Sequence, residues 1–383
     1  MNKPTVQDIF QCFYPAYLEK YSPSPEQAKV ARNILNCKTG AYGANVSVCE
    51  DCGAVQVHYN SCRNRCCPMC QAVPKEIWMD ARREDVLDAP YFHLVFTVPD
   101  ILNPIIYSNQ KLLYDTLYHA ASATISELTA DPKHLGANVG YICILHTWGS
   151  EMNFHPHIHT ILLGGGLTSK NEWKDNGTAF FLPIWAISKV FRGKYMDELK
   201  NLWNTNQLEF HGTAEKYRNH YAFKELIDFC YDAEWIPYCK KTFNGAQSVI
   251  DYLGKYTHRI AISNHRIICM DDGNVTFSVK DYRNKGQWKE LTLSGVEFIR
   301  RFLMHVPPKR FVRIRHYGLL CSRSKHKKLA LCRNLLGCQK YLSKLRGKEM
   351  PEILKQLYEI NICVCKSCGG HLGKPQLRKP QRC

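Results

Sequence analysis

YICILHTWGSEMNFHPHIHTILLGGG, residues 141–166, reads as two strands and the loop between them. YICILHTWG (141–149) and HIHTILLGGG (157–166) are apolar runs, and SEMNFHP is short enough for an antiparallel hairpin. The glycines at 164–166 are expected to end the second strand, and Pro156 to leave His155 in the turn. Side chains two apart on a strand share a face. His157 and His159 therefore project together, with Ile158 on the opposite face. An antiparallel neighbour brings His146 alongside them, which makes a set of three imidazoles for one divalent ion. The competing account of His146 is an ordinary hydrogen-bonded core histidine.

Outward from the hairpin, YFHLVFTVP (91–99) reads as a buried strand ending at Pro99. AVPKEIWMDARREDVLDAP (72–90) is helical up to Pro90, residues 104–129 form a long helix, and 189–206 and 224–234 two more. WIPYCKKTF (235–243) is a short strand, followed by a helix over 246–259 despite Gly254. RIIC, VTFSV and WKELTL alternate apolar and polar residues, so 260–293 reads as strands joined by turns such as DDGN. These elements specify an α+β fold, an antiparallel sheet with helices packed on it. Four segments are expected: a zinc-binding module over 1–75, a catalytic domain over 76–262, a strand-rich basic region over 263–345 and a cysteine-rich tail over 346–383.

The chain of 383 residues carries 51 Lys and Arg against 34 Asp and Glu, a net charge of +17 that attracts polyanions, nucleic acid first among them. No apolar run reaches the roughly 18 residues that span a bilayer. The start, MNKPTVQDIFQCFYP, lacks the apolar core of a signal peptide, so the 19 cysteines are expected in a reducing cytoplasm, where clusters mean metal. Cys49-x2-Cys52 and Cys67-x2-Cys70, 14 residues apart, have the spacing of a four-thiolate zinc ribbon. Cys37, His58, Cys62 and Cys66 are left for a second zinc, as alternative ligands, or as buried small residues. Arg63 and Arg65 lie between the knuckles and are candidates for DNA phosphate. Cys363, Cys365 and Cys368, with His371 or Cys383, are a further candidate set, and the basic stretch 309–328 a further DNA contact.

Tyr252 and Tyr256 are one helical turn apart on a common face. Such pairs are usually core packing, but Lys255, His258 and Arg259 make surroundings suited to phosphate rather than to a dry core. A phenol is a poor nucleophile near neutral pH, and a divalent ion that polarises a phosphodiester would compensate. Attack by the tyrosine oxygen would leave a 5′-phosphotyrosine and a free 3′-OH, conserving the bond for rejoining.

These residues resemble the histidine-hydrophobic-histidine (HUH) endonuclease superfamily through His157-Ile158-His159, and within it the two-tyrosine rolling-circle transposases of the insertion-sequence-ninety-one family. The similarity rests on YNSCRNR (59–65), CPMCQ (67–71), VFTVP (95–99), LHTWG (145–149), HPHIH (155–159), YLGKYTHR (252–259) and RHYG (315–318), in that order along most of the chain. It implies Tyr252 and Tyr256 as nucleophiles, His157 and His159 as ligands of Mg²⁺ or Mn²⁺, and structural Zn²⁺ in the N-terminal module. His146 fits the third histidine of related relaxases. The family pattern has histidine where this chain has Cys66. The substrate implied is single-stranded DNA at element ends and target, handled in the bacterial cytoplasm at the nucleoid. The alternatives are a plasmid relaxase or replication initiator, a zinc-ribbon regulator without catalysis, and a metallohydrolase that activates water.

Overall fold

The computed structural model describes residues 3–177, 182–235, 237–243, 248–249, 251–252, 254, 261–281 and 286–380. Two capped helices open the chain. Helix α1 (Val6–Lys20) starts at a Thr5–Asp8 capping box and α2 (Pro25–Leu35) at a Ser24–Gln27 box with Pro25 in the first turn. A hairpin of β1 (Ala44–Val48) and β2 (Val55–Tyr59) follows. Helix α3 (Ala72–Arg83) then leads into the main sheet.

That sheet begins with β3 (Tyr91–Thr97). The helix expected over 104–129 is broken in two, α4 (Asn103–Ser108) and α5 (Gln110–Ala130). The cause is Asn109, whose buried amide donates to the carbonyls of Ile105 and Glu209 and accepts from the Glu209 N–H, holding its backbone outside helical geometry. The hairpin is β4 (Asn138–Trp148) against β5 (Phe154–Leu167), with β6 (Trp173–Asp175) on the far end of β5. Strand β5 runs through its glycines instead of stopping at them. A Cβ at Gly164 would meet the Pro90 carbonyl and Phe92, and one at Gly166 the Asn138 carbonyl, so glycine here lets neighbouring backbones close in. His155 likewise belongs to β5, where its Nδ1 lies 3.0 Å from Asp100. Helices α6 (Ile184–Asn204) and α7 (His220–Asp232) precede β7 (Tyr238–Phe243), which pairs with β3.

Strands β8 (Ile267–Asp271), β9 (Asn274–Asp281) and β10 (Gln287–Ser294) form the expected antiparallel meander, capped by α8 (Gly295–Met304). Strand β11 (Ile314–Gly318) returns to pair with β4. The main sheet thus has the order β11-β4-β5-β3-β7, antiparallel throughout. Helices α9 (Lys325–Leu336) and α10 (Met350–Tyr358) follow, and β12 (Gln376–Arg378) closes on β1.

Among the described residues three sizeable cores form. Leu94, Phe96, Leu145, Ile158 and Leu162 on one face of the main sheet pack under α4, α5, α6 and α7. The opposite face, with Ile142, Ile144 and Ile161, packs against Met79, Val249, Leu329 and the partly buried Tyr252. A separate core joins α1 and α2 to β8, β9 and α8, and takes in Met152 from the β4–β5 loop. Arg266 and Arg301 donate to the carbonyls of Ser150 and Glu151 in that loop, which holds the turn of the histidine hairpin against the third core. Among the described residues no helix is long and apolar enough to cross a membrane.

Candidate active site

His146 on β4 lies directly across from His157 on β5. The nearest ligand nitrogens of His146, His157 and His159 all fall within 4.8 Å of one another. His157 Nδ1 donates to the His155 carbonyl oxygen at 2.7 Å, which keeps the proton on Nδ1 and turns the Nε2 lone pair toward Nε2 of His159, 3.0 Å away. That separation matches the edge of an octahedron around a small divalent ion with ligands at about 2.1 Å, roughly 3 Å. Burial lowers the His157 pKa to about 4 and holds His159 well below the usual imidazole range, with neighbouring imidazoles adding to both. Neutral rings with inward lone pairs are the form that accepts a cation, so the three residues fit one. Trp148 stacks on the His146 ring at 4.5 Å and fixes its tilt.

Tyr252 meets this centre. Its hydroxyl lies 3.0 Å from Nδ1 of His159 and in hydrogen-bond contact with Nε2 of His93, which is itself 2.9 Å from the same Nδ1. His93 is the member that the alternation did not mark, a single histidine inside the apolar run of β3. Its register does place it there: Val95 stands opposite His159 and His93 opposite Ile161, so His93 shares the histidine face. Burial lowers its pKa to about 4. A Cβ at Gly254, two residues beyond Tyr252, would meet the Met79 side chain of α3, which would have to move aside. Met79 thus packs directly on the backbone of the tyrosine segment at this position. Tyr256, Lys255, His258 and Arg259 lie outside the described residues.

Among the described residues the cysteines form two four-thiol sets, and neither is the ribbon expected from Cys49, Cys52, Cys67 and Cys70. One set is Cys37, Cys62, Cys67 and Cys70; the other is Cys49, Cys52, Cys365 and Cys368. The β1–β2 hairpin carries the first CxxC away from the second, and the C-terminal segment meets it instead through β12 and a Cys49–Leu372 bridge. Sulfur separations of 3.6 Å (Cys49–Cys368), 3.8 Å (Cys52–Cys365) and 3.8 Å (Cys62–Cys70) are too long for a disulfide. They are what a tetrahedral zinc with bonds of about 2.3 Å imposes, roughly 3.8 Å. Within each set the thiols share hydrogen bonds, so one sulfur is held well below the usual thiol range, Cys70 by Cys62 and Cys67 and Cys365 by the backbone N–H groups of Cys368 and Ser367, while its neighbours Cys62, Cys67 and Cys368 are raised. Cys66 is in neither set. It is buried, its thiol raised to about 11 by that burial, and it faces Arg65 and Arg313. The histidine-to-cysteine departure at this position therefore leaves both four-thiol sets intact. Cys363 and His371 also stand outside the sets, His371 being 3.1 Å from Glu50.

Comparison with known proteins fits this division. A family described as "Putative transposase" matches residues 140–328, and one described as "Transposase zinc-binding domain" matches 9–98. The chain is 41% identical over 336 residues to the "Putative transposase y4qJ" of Sinorhizobium fredii, covering 87% of this chain and 84% of that protein. It is 30% identical over 307 residues to the transposase for insertion sequence element IS801 of Pseudomonas savastanoi pv. phaseolicola, covering 78% and 71%. The chain belongs to the insertion-sequence-ninety-one family of transposases. No solved structure matches it. Membership makes DNA the partner and gives the thiol sets their ion, structural zinc. The first set lies wholly within 9–98, whereas the second joins Cys49 and Cys52 to Cys365 and Cys368, far outside that region.

Proposed function

We propose that this transposase works by the rolling-circle route, cutting single-stranded DNA with a tyrosine on an HUH-type sheet and rejoining it without an external energy source. The observation that carries the reading is the Tyr252 hydroxyl, 3.0 Å from Nδ1 of a histidine whose other nitrogen faces His157. A bound Mg²⁺ or Mn²⁺ on His146, His157 and His159 would polarise the scissile phosphate. The phenol oxygen of Tyr252 attacks phosphorus, the bond from phosphorus to the 3′ oxygen breaks, and that oxygen leaves as a 3′-OH after taking up a proton. His93 Nε2, in contact with the phenol and held neutral by burial, is placed to receive the tyrosine proton. Tyr256 would serve the second strand, with Lys255, His258 and Arg259 on phosphate, and the protein would work at the bacterial nucleoid.

The test is a denaturing gel of protein incubated with Mn²⁺ or Mg²⁺ and end-labelled single-stranded DNA. A covalent adduct through the 5′ phosphate is expected, absent in Tyr252→Phe/Tyr256→Phe and after chelation. Free 5′-phosphate ends that survive loss of both tyrosines would replace this reading with water activation.

A further inference from the structure

The structure holds a second concave site that the chemistry above does not use. A cleft of about 690 Å³ lies between α2, the Cys62–Cys66 turn of the first thiol set and the 306–310 loop. Lys29, Arg63, Arg65, Lys309 and Arg310 line it, against the single carboxylate of Glu26. Elsewhere on this protein arginines commonly meet carboxylates: Arg82 with Asp85, Arg218 with Glu215, Arg300 and Arg301 with Glu297, Arg315 with Asp115, Arg346 with Glu84. Lys29, Arg63, Lys309 and Arg310 form no ion pair among the described residues and are exposed. Four like charges around one hollow focus a positive field on it, which raises the local concentration of a polyanion.

The walls are built to stay in place. Arg63 and Arg310 both occupy left-handed backbone, at φ 53° and 59°, which sets two tight turns facing each other. Cys62 anchors the first turn in its thiol set, and Pro307-Pro308 stiffen the second. Arg65 ties them together by donating to the Phe311 carbonyl at 2.7 Å. Two side chains, Arg313 and Trp148, link the cleft to the histidine centre. Arg65 and Cys66 adjoin the buried Arg313, whose guanidinium carbon is 6.0 Å from the Trp148 ring, and Trp148 stacks on His146.

We propose that this cleft grips consecutive phosphodiesters of the transposon-end DNA beside the point of cleavage, with Lys29, Arg63, Lys309 and Arg310 on phosphate and Arg65 as the brace. The inference rests on the tyrosine reading only for where the DNA is cut; that DNA is the ligand follows from the family.

Full-length, zinc-loaded protein would be titrated with labelled single-stranded and duplex oligonucleotides of element-end sequence over about 50 to 200 mM salt. In Lys29→Gln/Arg63→Gln/Lys309→Gln/Arg310→Gln the slope of log affinity against log salt is expected to fall by about 3, since each phosphate contact contributes about 0.7 on single strands and 0.9 on duplex. A fall confined to one probe identifies which form of DNA lies in the cleft. An unchanged slope on both probes, with zinc content and melting temperature retained, overturns the proposal. Glu26→Gln covers the case in which the fourfold variant does not fold: it should bind several-fold tighter at low salt, and unchanged or weaker binding overturns the proposal equally. Tyr252→Phe should keep the full slope. A lost adduct with an intact slope, or the reverse, separates failure of the catalytic reading from failure of this one.

Discussion

At the scale of single residues, the site depends on which nitrogen of each histidine is left free. The His155 carbonyl settles this for His157 by accepting its Nδ1 proton, so His157→Ala removes a lone pair already aimed at the common point. Calorimetric titration with Mn²⁺ should show at least a tenfold loss of affinity in His157→Ala, while melting of the ion-free protein changes little; equal affinity would remove His157 from the metal site. Glu297 offers a test of a different kind. Hydrogen bonds from Arg300, opposed by burial and helped by Arg301, hold its carboxyl at about 2, below its ordinary 4.5. A carboxyl lowered on folding stabilises the protein above the unfolded value and loses that contribution as pH falls through the folded one. Glu297→Gln should therefore cost about 1–2 kcal/mol near neutral pH, allowing for screening of these partly exposed pairs, and progressively less between pH 4.5 and 2. Urea midpoints of both proteins across that range measure it, and a pH-independent difference would refute the ion-pair account.

At the scale of elements, the alternation of β4 and β5 was legible and their extent was not. Period two put His157 and His159 on one face and Ile158 on the other, as found in the two sheet cores. Glycine at 164–166 resembled a stop because its signal is ambiguous: a turn and a close backbone approach both exclude Cβ. Only the neighbours separate the two, and here Pro90 and Asn138 are those neighbours. Gly166→Ala should accordingly lower stability by about 1–3 kcal/mol, since the obstructing atom is a backbone carbonyl with no rotamer to yield. A thermal melt checks this, and an unchanged melting temperature would mean the strand ends spread freely. Asn109 is the converse case. A helix break that depends on the Glu209 backbone, 100 positions away, leaves no trace in the local apolar pattern.

At the scale of the whole molecule, stretches far apart in the sequence share cores and thiol sets. Helices α1 and α2 pack with β8, β9 and α8, and the Cys49 and Cys52 thiols meet residues 313 and 319 positions away. Metal analysis should find two zinc ions per chain, and Cys365→Ser should keep one. The same change should expose the C-terminal segment to limited proteolysis while leaving 1–345 intact; retention of both ions would break the assignment. The basic stretch 309–328 also divides at this scale. Lys309 and Arg310 face the cleft, whereas Arg313 is buried, Arg315 pairs with Asp115 and Lys325 pairs with Asp85. The amino-acid order alone determined the chemistry that could be assembled: which faces the imidazoles share, which cysteines are ligand pairs, and the charge that draws DNA. Tertiary structure alone decided the partners, pairing each CxxC with distant thiols and bringing His93 and Tyr252 to the hairpin. A side chain's reach and parity are local properties, but contact between elements is set by how competing surfaces bury together, and that is a property of the whole chain.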